Sequence, residues 1–415
     1  MIQTEKELID DIGKEYLEIL RDPKLWERIS AELSKTIVGE ERAKKTIFLN
    51  ANGRNVINCD KTSFNLLLDS ESGAGKDYIT RNVLKILPAK ECIIRRAITP
   101  KTLRWMNKDD ESWTWDKKVL YIEDIPDSVL NDETFKTMCS SEEGTSSAVE
   151  STDKGIKITT IEVRGKPVII ITSASPNLIK EMIRRFGSLN LDESIDQTKA
   201  IIKRKLKNAR TGKTERYNDM LRCAIGCLKR ESVVIPWAGR LESFIPDNLI
   251  LRTSINRFLD FIKSACVLHQ YQRERNDDGF LIAQKEDYEF AKPCFESIIS
   301  TKWLTLSQNE QRVLKVIGKL NDDITGLSVP DLEPHITFIT TKSLYKCVKK
   351  LANSGLLKCE SQERESSKKP VLVYKSMQIF NVNLPSWEDL EKTTIDSNDI
   401  IDSINTIDTN DSGRL

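Results

Sequence analysis

NLLLDSESGAGKD, residues 65–77, decides how the chain is read. An apolar run of strand length is followed by a glycine-rich turn and then, from Lys76, by a helical pattern. That order turns backbone N–H groups and a helix N-terminus toward an anion, which is how proteins cradle phosphate. Measured against GxxxxGK[ST], Ser70 stands at the first glycine, while Gly73, Gly75 and Lys76 fit. Asp77 replaces the closing Ser or Thr. A carboxylate there holds a cation but repels phosphate unless the cation is present. The candidate cradle is Ser70, Ser72, Gly73, Ala74, Gly75, Lys76, Asp77 and Tyr78, with ATP and Mg²⁺ as the expected cofactors.

Further along, KVLYIEDIPD (residues 118–127) is an apolar strand pattern ending in two adjacent acids. Glu123 is placed to support the metal and Asp124 to polarise a water, in the reverse of the usual Asp-then-Glu order. KPVIIITSASPN (residues 166–177) ends in small polar residues, of which Ser175 or Asn177 is expected to sense the γ-phosphate. ECIIRRAI (residues 91–98) completes a set of short apolar runs alternating with helical patterns. Such alternation implies a parallel sheet with helices on both faces, an α/β fold.

The 415 residues allow two or three domains. A net charge of +1 says nothing about a nucleic-acid partner. Nine cysteines without a CxxC pair, and two histidines, offer no zinc site; Cys223 and Cys227 read as small residues on one helix face. The charged, amphipathic start excludes a signal peptide, and no apolar run is long enough to span a bilayer, so a cytoplasmic location without membrane contact is expected. Residues 4–34 read as two helices broken near Arg21 to Pro23, and residues 195–300 as almost wholly helical.

Taken together these motifs resemble the AAA+ ATPases, and within them the branch containing the minichromosome maintenance (MCM) helicases. IVGEERAKKTIFL (residues 37–49) is similar to the helix leading into the nucleotide site of that branch, and SSAVESTDKGIKITTIEVRGK (residues 146–166) to its pre-sensor-1 hairpin. The resemblance implies that Lys154 and Lys157 at the hairpin tip touch DNA. It implies further that Arg185, in EMIRRFGSLNLDES (residues 181–194), is an arginine finger acting on the neighbouring subunit. Arg184 beside it is the lesser candidate. Arg257 is the best match to the second sensor, Arg252 a weaker one. The phrase over residues 262–273 is also similar to ATPases of archaeal, phage and mobile-element replication modules, some joined to primase domains. Departures are the altered Ser70, Asp77 and Glu123–Asp124 positions, the short stretch before the acid strand, and the lack of a large domain ahead of the core.

The resemblance places an N-terminal helical extension at residues 1–35, an AAA+ phosphate-loop core at 36–190 and a helical lid at 191–300. Residues 301–378 follow the helix, helix, helix, hairpin order of a winged helix-turn-helix. In its recognition helix Leu344, Val348 and Leu351 point inward. Lys342, Lys346, Lys349 and Lys350 fall on the other face, with Lys368 and Lys369 in the wing, suited to DNA phosphates. Residues 379–415 read as an acidic, disordered tail. The expected function is an ATP-dependent, ring-forming DNA helicase or translocase in replication, a hexamer on single- or double-stranded DNA. The alternative is an initiator or loader that binds ATP with little hydrolysis. A transcription activator is the third reading, against which stands the missing GAFTGA-like loop.

Overall fold

The computed structural model describes residues 5–60, 62–70, 73–96, 98–105, 112–140, 143–152, 155–172, 185–212, 217–245, 249–301, 308–320, 326–353, 357–362, 370–376 and 384–393. Three helices open the chain, α1 (Glu5–Ile12), α2 (Lys14–Leu20) and α3 (Leu25–Ser34), where the sequence suggested two. The extra break falls at Gly13, whose φ of 91° is open to glycine and strained for other residues. α4 (Glu41–Asn52) then leads to β1 (Asn65–Leu68), and the phosphate-loop turn to α5 (Lys76–Leu84).

β1 belongs to a five-stranded sheet with β2 (Cys92–Arg95), β3 (Val119–Ile122), β6 (Val168–Thr172) and β7 (Gly187–Leu189). Every pairing is parallel and the order is β2–β3–β6–β1–β7. Leu66, Leu68, Tyr121 and Ile170 enter one buried cluster, while Leu67, Leu120, Ile122, Ile169 and Ile171 enter a second on the opposite face. Alternate residues therefore find apolar partners on both sides, which is why these strands read as unbroken apolar runs. β7 has only three residues, GSL, and carries no such signal.

α6 (Pro100–Trp105) follows β2, and between β3 and β6 lie α7 (Asp127–Leu130), α8 (Glu133–Met138) and a hairpin of β4 (Glu143–Thr152) with β5 (Gly155–Arg164). The two strands pair antiparallel from Glu143↔Arg164 to Thr152↔Gly155, so the two β runs expected around DKGIK pair as a hairpin.

α4 is polar in sequence yet almost wholly buried. Its amides are tied to carbonyls: Asn50 donates to Phe64 at 3.1 Å and Asn52 to Ser264 at 2.9 Å. Helices α9 (Ile195–Thr211) and α10 (Asp219–Gly226) follow the sheet, then α11 (Leu249–Leu268) and α12 (Lys285–Thr301), with a short parallel pair of β8 (Val233–Val234) and β9 (Leu281–Ile282). Phe258 and Phe295 join the last two, ring centroids 4.8 Å apart.

The C-terminal helices α13 (Gln308–Leu320), α14 (Val329–Leu332) and α15 (Thr341–Asn353) precede an antiparallel pair, β10 (Leu357–Gln362) and β11 (Val371–Ser376). They share a buried cluster of their own, in which Leu344, Val348 and Leu351 are all found.

One expectation fails. Residues 384–393, assigned to a disordered tail, form α16 (Trp387–Lys392) and rejoin the main core. The Trp387 indole meets Trp237 edge-on at 5.0 Å, and Tyr288 donates its hydroxyl to the Pro385 carbonyl at 2.7 Å. An acidic composition concealed three apolar anchors, Leu384, Trp387 and Leu390.

Candidate nucleotide site

Parallel strands deliver their C-terminal ends to one edge of the sheet. Because β6 lies between β1 and β3, the glycine turn, the end of β6 and the acid pair meet there. Gly73 and Gly75 have φ of 90° and 93°. A Cβ added at either meets nothing within 4 Å, so backbone conformation, and not crowding, selects glycine. Lys76, the first residue of α5, is buried and donates its ammonium to the Ser70 carbonyl at 2.5 Å. The Ser70 hydroxyl accepts from the Leu191 amide at 2.8 Å, so the residue in place of the first glycine ties the turn to the segment after β7.

Asp77 does not project into solvent alone. Its Oδ1 accepts from the Tyr121 hydroxyl at 2.7 Å and from the Thr172 hydroxyl at 2.9 Å. Thr172 Oγ1 in turn accepts from the Asp124 amide at 3.0 Å. A single buried threonine thus links the phosphate-loop helix to the acid pair. Burial and the Asp77 carboxylate push the Tyr121 phenol well above its ordinary value, holding it as a donor. Tyr121→Phe is expected to cost about 1.5–3 kcal/mol, the range for a hydrogen bond to a charged group, read as a lower denaturation midpoint with unchanged secondary structure.

Glu123 and Asp124 part company. Glu123 is buried and accepts on Oε1 from Arg81 of α5, and on Oε2 from Arg96 at 3.0 Å. Asp124 is exposed, with a φ of 43° that non-glycine residues seldom adopt. Strain of this kind is held by the surrounding structure, here by the Thr172 bond to its amide. Tyr78 is exposed and donates to the Thr36 carbonyl at 3.0 Å, which brings the segment before α4 to the same edge.

Glu40 sits beside that segment at φ 56°, accepting from the Asp192 amide at 2.9 Å. Burial raises its carboxyl from the ordinary 4.5 to about 7. The ionised form is thus disfavoured in the folded state, so this stabilising contribution is complete below pH 4.5 and lost as pH rises through about 7. Glu40→Gln is expected to match the parent melting temperature near pH 4.5 and to exceed it at pH 8.

Other expected site residues lie elsewhere. Arg185 is at the far end of the sheet: its carbonyl accepts from Asn65 at the start of β1, and its guanidinium donates to the Lys136 carbonyl at 2.6 Å. Arg257 is buried at the same end, donating to the carbonyls of Ser63 at 2.9 Å and Thr62 at 3.1 Å. The structure does not bring it to the phosphate loop of its own chain. Ser72, Lys154, Ser175, Asn177, Arg184, Lys368 and Lys369 lie outside the described residues, and Lys157 is on β5 opposite Glu150. Lys342, Lys346 and Lys349 are exposed on α15, whereas Lys350 pairs with Glu310 at 2.5 Å.

The residues that sequence reading missed are Arg81, Arg96, Tyr121 and Thr172. Tyr121 carried a signal, since it stands two positions before Glu123 and so on the same side of β3.

The described residues hold no cluster of three or more His, Cys, Asp or Glu suited to a metal ion. Asp77 and Asp124 offer hard carboxylate oxygens of the kind a divalent cation takes, while both oxygens of Glu123 are taken by arginines. No helix among the described residues is long and apolar enough to cross a membrane.

The family model described as the MTBMA_p00010 P-loop domain matches residues 11–225, just over half of the chain. The chain belongs to this P-loop family. The match spans the glycine turn, the acid pair and the whole parallel sheet. A comparison with curated proteins finds no match. Among solved structures, a full-length MCM homologue from Methanopyrus kandleri is 12% identical with a TM-score of 0.44, over 72% of this chain and 62% of that one. The Aeropyrum pernix ORC1 protein in complex with DNA is 12% identical with a TM-score of 0.24, over 91% and 96% of the two chains. At these identities and scores neither likeness assigns a function.

Proposed function

We propose that the protein is an AAA+ ATPase that works as a ring-forming DNA helicase or translocase in replication. The observation carrying this reading is the meeting of Lys76, Asp77, Thr172 and Asp124 at one sheet edge, with a hairpin inserted between the acid strand and β6. In this reading the glycine turn and the N-terminus of α5 hold the phosphates of ATP, and Lys76 swings from the Ser70 carbonyl to the β- and γ-phosphates. Mg²⁺, when bound, neutralises phosphate charge, and Asp77 is the protein group that holds it. Asp124, exposed beside the Thr172 link, orients the attacking water. Arg185 stands at the opposite end of the sheet from its own loop, which fits action on a neighbouring subunit's site in a ring. The hairpin lysines Lys154 and Lys157, and the exposed Lys342, Lys346 and Lys349 of α15, contact DNA phosphates; residues 301–378 act as a winged helix.

A second reading, an initiator or loader that holds ATP with little turnover, is favoured by one specific feature: Glu123 is bound at both oxygens by Arg81 and Arg96. Steady-state hydrolysis against protein concentration, with and without single-stranded DNA, separates the two. Turnover that rises with concentration and DNA and falls at least tenfold in Asp124→Asn supports the motor; tight ATP binding without turnover supports the loader.

A further inference from the structure

α9 is held down along one side only. Gln197 donates to the Val38 carbonyl at 2.7 Å and Arg204 to the Lys35 carbonyl at 2.9 Å, and Ile201 and Asn208 are half-buried on that side. On the other side Ile195, Ile202 and Leu206 are 73%, 51% and 67% exposed. At 100° per residue these positions fall within about 40° of one another, a single stripe. Lys199, Lys203 and Arg210 border it on one edge and Lys205 on the other, all exposed. Three large apolar side chains in a row on a surface helix mark a contact surface, not the usual scatter.

A stripe framed by cations suits a partner that sets apolar residues among acids. The chain contains one at residues 396–411, DSNDIIDSINTIDTND. Ile400, Ile404 and Ile407 recur at helical spacing, with Asp402 among them and Asp399 and Asp408 flanking them, and no Lys or Arg occurs between Lys392 and Arg414. The chain ahead of this segment is anchored up to Thr393. Glu388 of α16 lies 3.7 Å from Lys285 of α12, and α12 meets α3 where Phe290 stands 5.4 Å from Trp26. α3 leads to Lys35, whose carbonyl holds Arg204 of α9. α16, which precedes the acidic segment in sequence, is therefore linked to α9 through α12 and α3.

We propose that residues 396–411 dock their isoleucine face on the Ile195–Ile202–Leu206 stripe, with the aspartates against Lys199, Lys203, Lys205 and Arg210. The helix proposed to be occupied begins just beyond Leu191, whose amide is tied to Ser70 of the phosphate loop.

Hydrogen exchange on the full chain at low protein concentration tests this. Replacing Ile400, Ile404 and Ile407 by Ser is expected to speed exchange of the α9 amides by about tenfold, with α12 unchanged. Ile202→Asp with Leu206→Asp is expected to speed exchange within residues 399–408 in turn. High salt should reproduce part of both effects, because the framing charges are exposed. Unchanged α9 exchange in the triple Ser variant overturns the proposal. So does α9 protection that persists in that variant and grows with protein concentration, which assigns the stripe to a second copy. Protection of α9 that appears only on anionic vesicles overturns it as well.

Discussion

Lys76→Ala is expected to remove nucleotide binding from the protein while leaving its secondary structure intact. The ammonium sits at the first position of α5, beside a turn whose positive-φ glycines leave open space in front of the helix N-terminus. Charge-assisted hydrogen bonds are worth about 1.5–3 kcal/mol each. Losing contacts to two phosphate oxygens therefore weakens affinity by roughly 10²–10⁴-fold. The measurement is titration calorimetry with ATP and Mg²⁺, with circular dichroism as the folding control. Lys76→Arg keeps the charge but changes its reach, and is expected to fall between parent and alanine. Parent-like affinity in Lys76→Ala would remove the loop from the nucleotide site altogether.

The same turn shows what the sequence discloses. Apolar runs flanked by turns gave four strands of the sheet, because strands buried on both faces need no polar alternation. β7 was invisible because three residues, GSL, are too few to show a pattern. The departures from the usual loop pattern read as defects in one dimension and as substitutions with partners in three. Ser70 uses its hydroxyl to bind the Leu191 amide, which a glycine has no means to do. Asp77 is met by two hydroxyls from neighbouring strands, and those partners, Tyr121 and Thr172, are 44 and 95 residues away. No local pattern announces a contact across such separations. Glu123 was read as a metal ligand from its place at a strand end; Arg81 and Arg96 give it a different occupation. The acidic stretch after β11 misled through composition, since three apolar anchors suffice to dock a short helix.

Arg257 is where the two ways of reading diverge most, and the second large effect is expected there. The resemblance makes it a sensor of the γ-phosphate; its surroundings make it a buried brace. It is 3% exposed, and its guanidinium donates to the carbonyls of Ser63, Thr62 and Arg185, which fasten the start of β1 to α11 and to the segment before β7. Burial lowers its pKa to about 10, against the attraction of Asp60 and Asp260, so it remains charged at neutral pH. Arg257→Met keeps the length of the side chain and removes every donor. The orphaned carbonyls should then cost about 3–5 kcal/mol together, while Asp260 keeps its pairing with Lys263. Chemical denaturation is expected to show that loss with or without nucleotide, and ATP affinity of the remaining folded protein should be unchanged. A sensor would behave in the opposite way, with stability kept and turnover lost. Since Arg257 and Lys76 act at opposite ends of β1, the double variant should show the full stability loss of Arg257→Met and the full affinity loss of Lys76→Ala, neither changed by the other.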